Sequence, residues 1–410
     1  MQRKQTVSEY CSIRDFDPSG SRVLVRVDFN VPLNENGQVT DDRRIRSAIP
    51  TILAILDRGG SVIMMSHLGR PKGEGYEANL SMAPVATRLS ELLGRSVSIP
   101  GSLPTSPEAV AAAEHLKPGE ALLLENLRFE RGEKRGDSIF AGVLASMADA
   151  YCNDAFGTAH RADASMVAVP EAMKNQPKLL GCLMEKEVEY LGRRLSHAKE
   201  SGGFVAILGG AKVSDKIPAI RNLAGKVDTM LVGGAMAYTL LAARGSKIGA
   251  SRCEEEILEA CRDMLAEAES AGTTVLLPSD HVVAAEFDKN AEASISVGDI
   301  PDGMMGLDIG PETCQTFIGV LAEAKTIVWN GPMGVFEWDT FRSGTAAVAE
   351  AVARASEGEA IGIVGGGDTA AAAELLGVAE RVSHVSTGGG ASLAMLEGSP
   401  MPGLAAVAGD

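Results

Sequence analysis

The sequence predicts an α/β protein with two doubly wound, parallel-sheet (Rossmann-like) domains joined by a helix, with a cleft between them. Three observations carry that expectation. Short apolar runs rich in branched residues alternate with helical stretches along the whole chain, the pattern of a parallel sheet between helix layers. At 410 residues the chain is too long for one ordinary core, so two domains is the natural division. Strand after strand also ends in glycine, a cation or a hydrogen-bonding side chain, and open parallel sheets bind their ligands beyond those carboxyl ends.

The first domain opens on Arg22–Asn30, an apolar strand ending in Asp28 and Asn30. Arg43, Arg44 and Arg46 then start a helical stretch that runs through Leu56. A second strand, Ser61–Ser66, runs into His67-Leu68-Gly69-Arg70-Pro71-Lys72. A third, Ala121–Asn126, runs into Arg128, and a fourth, Ala148–Asp154, into His160-Arg161. One arginine after a strand is ordinary surface. Strand ends marked by Arg44, Arg70, Arg128 and Arg161, with His67 and His160 beside them, point instead to a convergent anion pocket. The planar fork of arginine suits carboxylate and phosphate oxygens bidentately. Asp28 and Asn30 would orient a hydroxyl in the same pocket, so the expected ligand is small and multiply anionic. Lys174–Pro177 reads as the exit from this domain, and Leu183–Leu195, with helical apolar spacing, as a connecting helix that acts as a spacer.

The second domain begins with Phe204–Leu208, a buried strand that ends in Gly209-Gly210 and is followed by Lys212 and Lys216. A helix starting there would put both ammonium groups on one face, and a strand, a glycine turn and a cationic helix start make a phosphate site. An ordinary strand-to-helix turn with two solvated lysines is the competing reading of that stretch alone. Further strands are expected at Asp228–Val232, Thr273–Pro278, Lys325–Asn330 and Ala360–Val364. The last ends in Gly365-Gly366-Gly367-Asp368-Thr369 before an alanine-rich helix from Ala370, and His384–Thr387 precedes Gly388-Gly389-Gly390. Glycine turns before helices offer unpaired N–H groups and a positive dipole end to phosphate. Neither triplet matches the dinucleotide fingerprint or the Gly-Lys-Ser/Thr loop. Asp368 can serve as a magnesium ligand or as a helix N-cap. Glu337 can accept hydrogen bonds from a ribose or be an exposed loop acid. Cys253 and Cys261, in an acidic helical stretch, read as packing residues.

Composition narrows the classes. Apolar residues make up 45% and charged residues 22%, the balance of a soluble globular protein. No apolar run reaches the roughly 18 residues a spanning helix needs. Met1–Glu9 carry charge without an apolar core behind it, so no signal peptide is expected. Six scattered cysteines without a Cys-x-x-Cys pair argue against zinc and fit reduced thiols in a cytoplasm. A formal charge of −16 disfavours nonspecific nucleic-acid binding. That charge lies in the second part of the chain: residues 1–180 hold 21 basic and 22 acidic residues, the remaining 230 hold 17 and 32. The arginine clusters therefore sit in a neutral background, where local grouping decides anion capture. Neither a membrane nor a nucleic-acid partner is expected. A monomer is the expected state, with a dimer as the alternative.

The segments Arg26-Val27-Asp28-Phe29-Asn30-Val31-Pro32, Ser66–Pro71, Glu125–Phe129, Asn153–Arg161 and Leu208–Lys216 are joined in order by Gly306–Pro311, Val328–Glu337, Gly365–Thr369 and Ser386–Gly390. Together they closely resemble the phosphoglycerate kinase family over nearly the whole chain. The resemblance implies reversible phosphoryl transfer between 1,3-bisphosphoglycerate and Mg-ADP, giving 3-phosphoglycerate and ATP in glycolysis and gluconeogenesis. It implies a first domain, residues 1–178, that holds the glycerate through Asp28, Phe29, Asn30, Arg44, His67, Leu68, Gly69, Arg70, Arg128 and Arg161. The connecting helix and second domain, residues 179–398, would hold nucleotide. The residues implied there are Gly210, Ala211, Lys212, Lys216, Gly234, Gly306, Leu307, Asn330, Pro332, Gly334, Val335, Glu337, Gly366, Gly367, Asp368 and Thr369, with Mg²⁺ on Asp368. A tail from about 399 to 410, Leu404–Asp410 in particular, would pack back on the first domain.

Arg44, Lys212, Gly366 and Gly389 are the catalytic candidates. Phosphoryl transfer leaves a protein little covalent work, so Lys212 and Arg44 would neutralise the equatorial oxygens while the glycine N–H groups add donors. Hinge closure about the connecting helix would expel water from the acyl phosphate. One departure stands out: after His160-Arg161-Ala162 the chain has Asp163, where many family members carry a histidine near the phosphoglycerate pocket. A carboxylate there would weaken the local positive field. A different kinase or nucleotide-dependent ligase would need the glycine turns and lysines, but not the arginines, His67, Asp28 and Asn30 of the other lobe. A degenerate binding protein would have lost Lys212, Asp368 or an arginine, and none is missing.

Overall fold

The computed structural model describes residues 10–409; Met1–Glu9, where no leader is expected, and Asp410, the last residue of the returning tail, lie outside them. The chain divides into two compact units, Met1–Glu189 with Pro400–Asp410, and Tyr190–Ser399.

The first unit is built on strands β1 (Cys11–Ser12), β2 (Arg22–Val27), β3 (Ser61–Met65), β4 (Val97–Ser98), β5 (Ala121–Leu123), β6 (Ala150–Asp154) and β7 (Lys178–Leu180). All pair in parallel, in the order β1-β7-β6-β2-β3-β5-β4. The pleat sends alternate side chains to opposite faces. Val23, Val25, Val27, Val62, Met64, Leu123 and Cys152 join one core cluster with the apolar stripe of helix Arg43–Leu56, namely Ile45, Ala48, Ile52, Ile55 and Leu56. The residues between them, Leu24, Ile63, Leu122 and Tyr151, are equally buried on the opposite face. Arg26 falls on that second face and is fully buried there.

Lys174–Pro177 is not an exit. The next three residues return to the sheet as β7, and Tyr151 N donates to Pro177 O at 2.9 Å. A three-residue strand straight after a proline leaves too little pattern to read from sequence. The expected connecting helix is interrupted: helix Cys182–Glu187 passes through a π-helical turn, Val188–Arg194, into helix Leu195–Ser201. The tail returns to the first unit: Gly403 N donates to Ala159 O at 2.9 Å and Asn153 Nδ2 to Gly403 O at 2.8 Å.

The second unit contributes β8 (Phe204–Leu208), β9 (Thr229–Val232), β10 (Thr274–Leu276), β11 (Asp280–Ala284), β12 (Ser294–Val297), β13 (Met305–Ile309), β14 (Thr326–Asn330), β15 (Ile361–Val364) and β16 (His384–Val385). Six of these form a parallel sheet, β10-β9-β8-β14-β15-β16. It is covered on both faces: Ala206, Leu208, Met230, Val232 and Val328 enter one cluster, and Val205, Ile207, Leu231, Ile327, Trp329 and Val364 another. That is the doubly wound arrangement. An antiparallel sheet, β12-β11-β13, is additional to the expected architecture. No helix of the described residues is long and apolar enough to cross a membrane.

Candidate active site

In the first unit, the registers Arg26↔Met65, Val27↔Asp154 and Met64↔Leu123 bring the carboxyl ends of β2, β3, β5 and β6 to one edge of the sheet. The loops leaving that edge are sewn together by short polar side chains. Ser66 Oγ accepts from Phe29 N at 2.9 Å, and Asn30 Oδ1 accepts from Gly69 N at 2.8 Å. Asn126 Oδ1 accepts from Leu68 N at 3.2 Å and from Arg128 N at 3.1 Å, while its Nδ2 donates to Leu68 O at 2.7 Å. Gly69 takes φ +61°, a left-handed turn that glycine adopts without strain. Arg128 is buried and donates from Nη1 to Gly69 O at 3.0 Å; Arg44 Nη1 donates to Asp28 Oδ2 at 2.9 Å.

His67 marks the centre of this edge. Burial, then the charges of Arg26, Arg128, Arg161 and Arg44, hold its pKa well below the usual imidazole value. Four guanidinium groups thus lie near enough to one buried ring to oppose its protonation. Arg44, Arg128 and Arg161 converge as the sequence leads one to expect; Arg70 stands exposed on the His67 loop. Arg26 Nη2 lies 3.2 Å from His67 Nδ1. Arginine has donors only, so Nδ1 accepts and a neutral ring carries its proton on Nε2, leaving a donor for a ligand oxygen. His160 is half-buried, and burial and Arg161 lower its pKa against the pull of Asp163.

Sequence reasoning passed over Arg26 as a functional group. Its Nε donates to Ser165 Oγ at 2.8 Å, Nη1 bonds Val27 O, and Ser165 Oγ in turn donates to Glu133 Oε1 at 2.6 Å. The available signal was a charged residue inside an otherwise apolar central strand.

In the second unit, the registers Asn330↔Leu208, Leu208↔Val232, Trp329↔Val364 and Val364↔Val385 align the ends of β14, β8, β9, β15 and β16. Their glycine loops then meet backbone to backbone. A Cβ on Gly209 would collide with Pro332 O, one on Gly331 with Gly209 O, and one on Gly389 would lie 3.2 Å from Gly367 N. Lys216 Nζ bonds Asn330 Oδ1, and Thr369 Oγ1 accepts from Gly331 N at 2.7 Å. Asn330 Nδ2 is buried without a partner and would lie 3.1 Å from a Cβ on Gly366, so a donor is held ready beside the Gly366 turn. Burial lowers the pKa of Lys216, opposed by Asp215, Glu397 and Asp368.

Two expectations change here. Lys212 and Lys216 do not share a helix face, because helix Ile217–Leu223 starts only after Lys216, with Pro218 in its first turn. Proline is favoured in a helix's first turn, where Pro218 sits, although an interior proline is tolerated elsewhere in the chain, at Pro50 of helix Arg43–Leu56. Asp368 is not the N-cap. Gly366, at φ +97°, caps helix Gly367–Leu375, and Asp368 lies exposed in the first turn. A single exposed carboxylate fits Mg²⁺, which takes one or two carboxylates and completes its shell with phosphate oxygens and water. No cluster of three or more metal-ligating side chains exists among the described residues.

Glu254 is a second group that the sequence concealed, inside an acidic run. It accepts from Val213 N at 2.7 Å, Ser214 N at 3.1 Å and Ser214 Oγ at 2.5 Å, pinning the loop that carries Lys212. Burial opposes ionisation there, yet these bonds and the charge of Lys212 hold its carboxyl below the usual range. On the antiparallel sheet, Val335 N donates to Leu307 O at 3.0 Å, and both residues share an apolar cluster with Trp338 and Phe341. Gly306 and Gly334 flank that cluster, and Glu337 is exposed.

What these loops offer is positive charge and N–H donors rather than a nucleophile with its base, and neutralising a phosphate in transit is the work of a kinase. Comparison with known proteins narrows the class. Residues 13–399 match the model of the family described as phosphoglycerate kinase. A phosphoglycerate kinase of Rhodopirellula baltica is 54% identical, over 94% of this chain and 96% of the relative. One from Moorella thermoacetica is 52% identical, over 97% and 98%. The solved structure of phosphoglycerate kinase from Coxiella burnetii superposes with a TM-score of 0.87 at 38% identity, covering 97% of this chain and 98% of that one. The chain belongs to the phosphoglycerate kinase family. Enzymes of that family are kinases that use ATP or ADP as co-substrate, generally with Mg²⁺.

Proposed function

We propose that this chain moves the acyl phosphate of 1,3-bisphosphoglycerate reversibly to Mg-ADP, giving 3-phosphoglycerate and ATP, with the glycerate on the first unit and the nucleotide on the second. The observation that carries this reading is the set of four guanidinium groups around His67, set on a different unit from the glycine loops. In this reading Asp28 and Asn30 orient the glycerate hydroxyl, and Arg44, Arg70, Arg128 and Arg161, with the Nε2–H of His67, hold its anionic groups. Phe29, Leu68 and Gly69 shape the loops that present them. Gly210, Ala211, Gly234, Lys216, Asn330, Pro332, Gly366, Gly367 and Thr369 cradle the nucleotide phosphates. Gly306, Leu307, Gly334, Val335 and Glu337 take the nucleoside. Asp368 would hold Mg²⁺, which when bound neutralises charge on the phosphates. Lys212 and Arg44, with the N–H groups at Gly366 and Gly389, stabilise the transferring group.

A coupled assay for ATP formation from 1,3-bisphosphoglycerate and ADP tests the reaction, and its failure with correctly folded protein overturns it. Arg70→Ala tests the division of labour. It is expected to raise the KM for phosphoglycerate about tenfold or more and to leave the nucleotide KM alone. A rise confined to the nucleotide KM would reverse the two assignments.

Ligands held on separate units must be brought together for direct transfer, and the π-helical turn Val188–Arg194, across the boundary of the units, is the hinge in this reading. Its ring contacts, Tyr190 stacked on His384 at 4.8 Å with Arg194 over Tyr190 at 5.3 Å, tie the turn to β16. Solution scattering is expected to show a smaller radius of gyration when both substrates are present than with either alone. An unchanged radius would remove the hinge. One chain carries every group named, and its six cysteines are free thiols, so we read it as a cytoplasmic monomer.

A further inference from the structure

Arg128 and Asp163 form a pair that the roles above do not explain. Arg128 is fixed by its Nη1 bond to Gly69 O, which leaves the Nε–Nη2 edge of the guanidinium, the edge that grips an oxyanion with two parallel bonds. Both of those nitrogens are buried and have no hydrogen-bond partner. Beside them stands Asp163, whose Oδ2 lies 3.8 Å from Arg128 Nη2, too far for a hydrogen bond, and is likewise buried and unpartnered. A buried charge pair normally closes to bonding distance, because unmade bonds to desolvated charges are costly. This one is held apart. Asp163 is anchored through its backbone, where its carbonyl accepts from Met166 N at 2.9 Å and Val167 N at 3.1 Å, while Arg128 is anchored at Gly69.

We propose that Asp163 is a resident counter-anion covering the bidentate edge of Arg128, so that a phosphoryl or carboxylate group of the glycerate must displace it, and that it thereby sets the affinity for that substrate. This rests on the glycerate site proposed above. The charges nearby fit the role. Arg44 has Asp28 as its fixed partner, and Arg26 reaches Glu133 through Ser165; Glu133 adds to the field at Arg128, but Asp163 is the carboxylate within ion-pair range of it. Asp28 is already closed on its arginine at 2.9 Å, and Glu133 is fully buried behind Ser165. Asp163 alone stands at an unfilled fork. It acts through Arg128, and so it tunes affinity and takes no part in the chemical step.

The test is Asp163→Asn, which keeps the shape and removes the charge, with Asp163→Ser as a second neutral variant should the first not fold. The expected result is a gain: the KM and the calorimetric Kd for 3-phosphoglycerate fall at least about fivefold, while the nucleotide KM stays within twofold. Inorganic sulfate, used as a competing dianion, should inhibit the variant at correspondingly lower concentration. A residue with only a structural role predicts the opposite, weaker binding together with a lower Tm. Unchanged or weakened 3-phosphoglycerate binding in a folded neutral variant overturns the proposal. Arg70→Ala, measured alongside, keeps the two readings apart. If it leaves the phosphoglycerate KM untouched, the site assignment has failed; if it raises that KM while Asp163→Asn brings no gain, only the counter-anion has.

Discussion

Replacing Lys212 by alanine is expected to lower kcat by about 10²-fold or more, with the KM for each substrate changed only a fewfold. Lys212 is exposed and makes no hydrogen bond or ion pair with the described residues, so its removal costs the ground state only its charge on the Glu254 carboxylate. Its loop, however, is not loose. Glu254 holds the next two residues by three hydrogen bonds, so the stem of Lys212 starts from a fixed backbone. In the reading proposed above, an ammonium group placed this way acts on the charge of the equatorial oxygens of a phosphoryl group between donor and acceptor. Interactions made only in transit appear in kcat, whereas those made equally with bound substrate appear in KM. Lys216 is the internal contrast. It is spent on Asn330 Oδ1 and half-buried, which suits it to hold ground-state nucleotide. Steady-state kinetics in both directions decide the matter. Turnover near the parent value in Lys212→Ala would take this residue out of the mechanism.

The central strands of both parallel sheets, β2, β3, β5 and β6 in one and β8, β9, β14 and β15 in the other, were legible because each is an apolar run that leads into a glycine, a cation or a hydrogen-bonding side chain, whereas the short strands β1 and β4 were not. Val23, Val25 and Val27 feed one core, Leu24 is buried on the other face, and such a run leaves little alternative to a central strand. The glycine loops were legible for a related reason, since backbones that approach as closely as Gly209 and Gly331 exclude any Cβ. What escaped had no such contrast. Strand Ser294–Val297 is largely exposed and alternates serine with a branched residue, no stronger a pattern than a loop. Lys178–Leu180 is three residues long and follows a proline. Glu254 sits among other acids, and only the fold shows that its carboxylate, rather than those of its neighbours, meets the Lys212 loop. Pro218 was a sequence signal for a helix start close to it, and so against a helix face shared by Lys212 and Lys216. The guanidinium cluster was read from strand ends, but it also takes in Arg26, which comes from within a strand, while Arg70 stands exposed on the His67 loop. A residue's face in the sheet, set by the pleat, is invisible until the register is known.

Arg26→Met is expected to cost about 3–5 kcal/mol of stability at neutral pH, the usual price of removing one partner of a buried charged network. Methionine replaces much of the stem, so the loss is electrostatic more than volumetric. With Arg26 absent, Glu133 remains fully buried among Ser165 and the sheet, with no cation bonded to the network. Burial already raises the pKa of Glu133, and the Arg26 charge is the largest opposing effect. Removing that charge raises it further. A carboxyl whose folded pKa lies above its unfolded value binds more protons folded than unfolded between those two values, so stability falls as pH rises through that window. The variant should therefore lose less at pH 5.5, where Glu133 can take up a proton, than at pH 8. Glu133→Gln placed on top of Arg26→Met should recover most of the loss and flatten its pH dependence, since the buried group no longer ionises. Urea denaturation of the parent, the single and the double variant at both pH values measures this. A single variant within about 1 kcal/mol of the parent, or a double variant no more stable than the single, would show that Arg26 is not held in the sheet to neutralise Glu133. The same substitution removes the donor that fixes the His67 tautomer, so phosphoglycerate KM should rise in Arg26→Met and stay raised in the double variant. Stability recovers with Glu133→Gln and binding does not, which separates what Arg26 does for the fold from what it does for the ligand.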